Sequence, residues 1–250
     1  MLAEKILTSL SHKKYRDKHG LFLIEGPDVI QHCLEHQYPL REVLVDEANK
    51  GRYQHEIVQA KKRGVPVYVL PVTNIGNLAE TETTQGILAV GQVRRAPTDD
   101  PGLSVYLDRV QDPGNVGAVI RSAAAAGFNS VIAGRGTVDF YNPKVVRGSA
   151  GGFANVRLSE DPDGTLLSEL RKKGYTLTVT DVKRGRDYRQ MERTQNRVIV
   201  MGNEGEGVAQ EIASLATERV HIPMPGAIES LNIAVAFGIL AFSLAVPPKG

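Results

Sequence analysis

The side chains best suited to chemistry fall in three stretches of the second half of the chain. In Asp112-Pro-Gly-Asn-Val-Gly-Ala-Val-Ile-Arg121, the amide of Asn115 precedes the guanidinium of Arg121 by six residues. On a helix that separation is under two turns, so both could approach one anionic substrate group. Taken alone, the same residues read as a helix cap and a surface arginine. In Gly202-Asn-Glu-Gly-Glu-Gly207, the glycines allow positive φ and close approach of backbone to a ligand. The spacing departs from the dinucleotide pattern G-x-G-x-x-G, and Glu204 and Glu206 would repel a pyrophosphate. A cationic or hydroxyl-bearing ligand suits this loop better, although Glu204 also reads as a simple loop-capping carboxylate. The third stretch, Glu229-Ser-Leu-Asn232, opens an almost wholly apolar helix with a carboxylate, a hydroxyl and an amide. No G-x-x-x-x-G-K-[ST], G-x-S-x-G or H-E-x-x-H pattern is present. That removes the main support for NTPase, α/β-hydrolase and metalloprotease readings.

Each of these stretches follows a segment of strand character. Leu103–Leu107 precedes the first, and Val198–Met201 runs into the glycine loop. Val220-His-Ile222 leads to the proline-rich turn before the apolar helix. Loops that follow strand ends, with a helix start beside them, make a natural ligand crevice. The small-residue helix Ala118–Ala126 is expected to close at Gly127 as a C′ glycine. Val131–Ala133, Asn155–Leu158 and Tyr175–Thr180 read as further strands, Gly164–Lys173 as a helix, and Asn142-Pro143 as the opening of a short basic helix. Such alternation implies a parallel sheet covered on both faces. Earlier in the chain, residues 1–19 read as one basic helix. Leu21–Ile24, Val43–Val45, Val65–Leu70 and the stretch between Gly86 and Gly91 read as strands, with helices at Asp28–His36 and Arg52–Arg63. The fold class expected is α/β throughout.

Arg94-Arg-Ala-Pro-Thr-Asp-Asp-Pro-Gly102 breaks the hydrophobic pattern. The expected organisation is therefore a domain over 1–95, a linker over 96–102 and a second domain over 103–250. With 250 residues, both can hold a core. A formal net charge of +2 leaves nucleic-acid binding to local clusters of basic residues. Cys33 is the only cysteine, which excludes a disulfide framework and suits a reducing cytoplasm. His32 and His36 have a metal-pair spacing but no third ligand nearby, so no metal is expected. The N-terminus lacks a secretion pattern, and the most apolar window, 233–246, is too short to span a bilayer.

Together the three stretches resemble the SpoU (TrmH) family of RNA ribose 2′-O-methyltransferases in the SPOUT superfamily. Asp112–Ser122 is similar to that family's first motif, Val200–Gly207 to the second, and Ile222-Pro-Met with Ser230–Ala236 to the third. Order and spacing agree over roughly residues 103–246, and Asn142–Ser149 is similar to the intervening segment. The first domain, around Phe22-Leu-Ile-Glu-Gly26, looks like the family's accessory substrate-binding domain, which resembles a ribosomal-protein fold. The resemblance implies S-adenosylmethionine as methyl donor, a deep trefoil knot in the second domain, and a homodimer. It implies donor contacts at Thr180, Met201, Gly202, Gly205, Ile222 and Leu231, read largely through backbone shape.

By the same resemblance Arg121 activates the ribose hydroxyl, with Asn115, Glu204, Ser230 and Asn232 at the other active-site positions. Arginine keeps its proton, so stabilising an oxyanion or phosphate is as good a role for Arg121 as that of a base. RNA contacts are expected from Lys144 and Arg147 and from Lys13, Lys14 and Arg16 on the first helix, with Lys183, Arg184, Arg186 and Arg189 near the motifs. Tyr141 and Tyr188 are candidates for stacking on bases or for ordinary packing. The expected function is a cytoplasmic RNA ribose 2′-O-methyltransferase acting on ribosomal RNA. A transfer-RNA enzyme, a non-catalytic RNA-binding protein and a dinucleotide oxidoreductase are the other readings.

Overall fold

Two compact units make up the chain: Met1–Arg94 with Tyr141–Ala154, and Arg95–Phe140 with Asn155–Gly250. The structure, a computed structural model, describes residues 1–79, 81, 83–95, 102–182, 184–203, 205–227 and 230–245. Apart from Gly102, the expected linker lies outside the described residues.

The first unit opens with α1 (Glu4–Ser9) and α2 (Lys13–His19) in place of the single helix expected. Arg16 caps the break. It is only 3% exposed, and its guanidinium donates to the carbonyl oxygens of Leu10 (2.8 Å) and Ser11 (2.7 Å). Arg16 is therefore corrected from RNA contact to structural cap, since an inward-facing guanidinium cannot meet a phosphate. There follow β1 (Leu21–Glu25), α3 (Pro27–Glu35), β2 (Leu40–Asp46), α4 (Gln54–Lys62), β3 (Val67–Leu70), α5 (Val72–Leu78) and β4 (Ile87–Gln92). The sheet order is β1-β4-β2-β3, with β4 antiparallel to both neighbours and β2 parallel to β3. The sequence reading missed α5. Its Ile75 and Leu78 are buried beside Leu7, Leu10 and Leu44, and tertiary burial outweighs the weak propensity of a segment holding Gly76 and two asparagines.

Residues 141–154, expected in the second domain, join the first unit. The rings of Tyr141 and Phe153 lie 4.6 and 5.6 Å from that of Phe22. The Tyr141 hydroxyl donates to the Arg94 carbonyl (2.6 Å) and accepts from the Arg94 amide (2.9 Å). At 7% exposure Tyr141 is a packing residue, not a stacking platform for bases.

The second sheet holds β5 (Ser104–Leu107), β6 (Ser130–Gly134), β7 (Arg157–Asp161), β8 (Thr176–Thr180), β9 (Arg186–Asp187), β10 (Arg197–Met201) and β11 (Glu218–His221). Its helices are α6 (Pro113–Ala125), α8 (Thr165–Lys172), α9 (Gln210–Ala213) and α10 (Ile233–Leu244), while α7 (Pro143–Gly148) lies in the segment joined to the first unit. The order β7-β6-β5-β10-β8-β11-β9 is parallel at every pairing, as the alternation of elements led us to expect. Tyr106, Ile132, Val198 and Val200 pack with Leu167 and Leu170 of α8. The alternate residues Val105, Val131 and Ile199 are fully buried too, so both faces of these strands are covered. α6 starts at Pro113 behind the Asp112 cap, earlier than expected, and Gly127 (φ +77°) follows its last turn as anticipated. Among the described residues no helix is long and apolar enough to cross a membrane.

A buried ion cluster ties four of these strands together. Arg197, 2% exposed, binds Glu218 and Thr178 and donates to the Glu192 carbonyl at 2.8 Å, while Arg186 binds Glu218 from the other side. Burial alone would raise the Glu218 carboxyl, but hydrogen bonds from Thr178, Arg197 and Arg186 hold it below its ordinary 4.5. The stabilisation is then complete above the unfolded value and is lost as the pH falls through the lower folded one. Glu218→Gln is expected to destabilise the protein by about 3 kcal/mol at neutral pH. Urea melts should show the gap to wild type closing as the pH falls below the ordinary carboxyl value of 4.5. An unchanged gap would assign the loss to packing.

Candidate functional site

The C-terminal ends of β8, β10 and β11 lie side by side, and the residues at and beyond them line a cavity of about 520 Å³. Cavities of roughly 300–1,000 Å³ hold small organic ligands, and carboxyl ends of parallel strands are where α/β sheets place them. Val179, Met201 and Val220 form an apolar floor, and Ile233, Ala236 and Leu240 present one face of α10. Polar groups come from Thr180, Asp181, Arg219, His221, Glu206 and Ser230.

The glycine loop is shaped from within. Asn203 and Gly207 exchange both backbone hydrogen bonds, Gly207 donating at 2.8 Å and Asn203 at 3.1 Å. The Asn203 side-chain oxygen accepts from the amides of Gly205 (2.8 Å) and Glu206 (3.3 Å). A Cβ on Gly202 would run into the backbone of Gly207 and Val208, so the close approach seen here requires glycine. The opposite wall is braced by Asp181, which binds Arg219 at 3.2 Å and accepts from the Arg184 amide at 3.1 Å.

Two helix starts meet beside the cavity. The Asn232 side chain caps α10, accepting from the amides of Ala234 (2.9 Å) and Val235 (3.3 Å). Its amide nitrogen donates to the side-chain oxygen of Asn115 at 2.8 Å. Asn115 is fixed in turn by the Asp112 cap, its backbone amide donating to that carboxylate at 2.7 Å.

Of the residues singled out in the sequence, Thr180, Met201, Gly202, Gly205, Ile222, Ser230 and Leu231 share the cavity. Asn115 and Asn232 meet each other at its side. Arg121 does not join them: it is exposed on α6, does not line the cavity, and has no ion pair among the described residues. Six residues at about 100° each set it about 120° around the helix from Asn115, so the two point from different faces. Glu204 and Lys183 lie outside the described residues.

The basic positions divide by environment. Lys14 and Lys144 are exposed, Lys13 pairs with Asp17 (3.3 Å), and Arg147 reaches Glu25 at 3.9 Å. Arg186 and Arg189, considered as phosphate ligands, are engaged by Glu218 and Asp187. His32 and His36 stack at 4.1 Å, and no metal-binding group occurs among the described residues. Sequence reasoning missed Asp181, Arg219 and His221. Their position at or next to strand ends was the available signal.

Residues 102–242 match the SpoU rRNA Methylase family, and residues 5–89 match the MRM3-like substrate binding domain. The chain belongs to the SpoU rRNA methylase family. The 23S rRNA (guanosine(2553)-2′-O)-methyltransferase RlmP of Bacillus subtilis (strain 168) is 31% identical over 94% of this chain and 92% of its own length. The 23S rRNA (guanosine-2′-O-)-methyltransferase RlmB of Bordetella pertussis is 30% identical over 81% of this chain and 87% of its own. The AdoMet-bound rRNA methyltransferase from Sinorhizobium meliloti superposes with a TM-score of 0.85 at 27% identity, covering 96% of this chain and 93% of that one.

The cavity of this SpoU protein fits the family's donor, S-adenosylmethionine. Its apolar floor suits a flat base, and the backbone around Gly202 can approach closely. Thr180, His221 and Ser230 offer hydrogen-bonding groups to a ligand that carries ribose hydroxyls.

Proposed function

We propose that the enzyme transfers a methyl group from S-adenosylmethionine to a ribose 2′-hydroxyl of 23S ribosomal RNA, with guanosine the nucleotide to test first. The observation that carries this reading is the cavity at the ends of β8, β10 and β11, bounded by the second and third motif stretches and flanked by the Asn115–Asn232 contact. Likeness over 94% and 81% of this chain to two enzymes named for 23S rRNA favours that substrate over transfer RNA.

S-adenosylmethionine, when bound, supplies an electrophilic methyl group. Thr180, Met201, Gly202, Gly205, Ile222 and Leu231 hold the donor. The ribose hydroxyl is a poor nucleophile while protonated, so the protein's task is to position it and to stabilise the charge that develops on oxygen. Arg121 does this, oriented by Glu204, with Asn115, Ser230 and Asn232 fixing the substrate and the loops. The 1–95 domain, with residues 141–154 joined to it, binds RNA, and the rest of 103–250 carries catalysis. Lys13, Lys14, Lys144 and Arg147 contact phosphates in a salt-dependent manner.

The position of Arg121 supports a homodimer, in which the arginine of one protomer serves the cavity of its partner. The apolar side chains of Val235 and Phe242, 53% and 58% exposed and two turns apart on α10, offer a surface for that contact. The strand order β10-β8-β11-β9, in which later strands lie between earlier ones, accords with a trefoil knot. A cytoplasmic location accords with the single buried thiol of Cys33.

The test is single-turnover transfer of labelled methyl to unmodified 23S rRNA, 16S rRNA and transfer RNA. Label confined to 23S rRNA is the expected result. Label in transfer RNA would favour the alternative substrate, and donor binding without transfer would favour the non-catalytic reading.

A further inference from the structure

We propose that Arg109 is a positioning residue for the methyl donor, its guanidinium latching the part of the cavity wall formed by Glu206 and Gly207. Arg109 lies in the turn between β5 and α6, away from the positions that the motif resemblance marks. It holds a left-handed backbone (φ +58°), a conformation that carries strain for a residue with a side chain. The surroundings impose it: Thr137 binds the Leu107 carbonyl (2.7 Å) and the Val110 amide (3.3 Å), and Val138 binds the Val110 carbonyl (3.0 Å).

The strained backbone aims the guanidinium across the glycine loop. Nη1 binds the Glu206 carboxylate, Nη2 donates to the Gly207 carbonyl at 3.2 Å, and Nε lies 3.5 Å from Asp108. The Arg109 carbonyl accepts from the Asn203 side chain at 3.2 Å, and Asp108 accepts from the Ala209 amide at 2.7 Å. The loop is therefore gripped at both ends and at its tip by two consecutive residues. An exposed ion pair alone contributes little. Here it is joined to backbone contacts on a loop that lines the cavity, so losing it releases the wall, not just one surface contact.

The inference rests on the donor-binding reading of the cavity, and the experiment separates the two. Arg109→Gly keeps the left-handed turn and deletes the guanidinium, whereas Arg109→Lys keeps the charge without the fork. For wild type and both variants, S-adenosylmethionine affinity is measured by titration calorimetry, the melting midpoint by calorimetric scan, and amide exchange over 203–208 without ligand. Arg109→Gly is expected to weaken donor binding about tenfold, the scale of a lost charge-assisted hydrogen bond. Exchange over 203–208 should quicken, while the midpoint stays level or rises as strain is relieved. Arg109→Lys should bind with intermediate affinity. Wild-type affinity in Arg109→Gly would overturn the proposal, as would a fall in midpoint accompanying the loss. Failure of wild type itself to bind the donor would instead overturn the reading beneath it.

Discussion

Arg121→Ala is expected to lower single-turnover methyl transfer by about 10²- to 10³-fold, the scale of removing one preorganised group that stabilises developing charge. Donor affinity should not change. Arg121 is exposed on α6 and is not among the residues that line the cavity at the ends of β8, β10 and β11. Arg121→Lys should recover little, because a point charge does not reproduce the guanidinium fork. Measuring transfer rate and donor dissociation constant on the same preparations checks this. Parallel loss of both would mean that Arg121 shapes the donor site, contrary to its position here.

Gly202→Val is expected to abolish donor binding, raising the dissociation constant at least about 100-fold, and to destabilise the protein by about 1–3 kcal/mol through overpacking. The atoms met by a Cβ at this position belong to the backbone of Gly207 and Val208. Those atoms are held by the Asn203–Gly207 pair and cannot rotate aside as a side-chain tip would. Gly226→Ala in the neighbouring loop is the control, since a Cβ there meets nothing within 4 Å. Titration with S-adenosylmethionine should show binding lost in the first variant and retained in the second. Retention in both would mean that the loop backbone does not form the donor wall.

Much of the fold was legible because the signals were local. Apolar runs such as Val198–Met201, the Asn142-Pro143 helix start and Gly127 each announce an element through its own residues, whereas the Asp112-Pro113 start of α6 was read as loop. Gly202, Ile222 and Leu231 were marked as donor contacts only by the resemblance to a family, and the structure gathers them into one cavity. What escaped depends on contacts distant in sequence. Tyr141 and Phe153 belong with Phe22, more than one hundred residues away, and no composition change marks that allegiance. Arg16 looked like its lysine neighbours, yet it turns inward because α1 ends within reach of its guanidinium. Arg109 gave no signal at all, since neither its left-handed turn nor its reach to Gly207 is written in neighbouring residues. Asp181 was passed over as one charge in a polar stretch, although its place directly after β8 sets it in the cavity wall.

Transfer of the methyl group to a ribose oxygen is tested by alkaline hydrolysis of RNA labelled by the wild-type enzyme. A 2′-O-methyl group removes the hydroxyl that attacks the neighbouring phosphate, so the linkage on its 3′ side survives. Label is expected in alkali-resistant dinucleotides, and far less of it in RNA treated for the same time with Arg121→Ala. Label released as mononucleotides carrying a methylated base would contradict transfer to ribose.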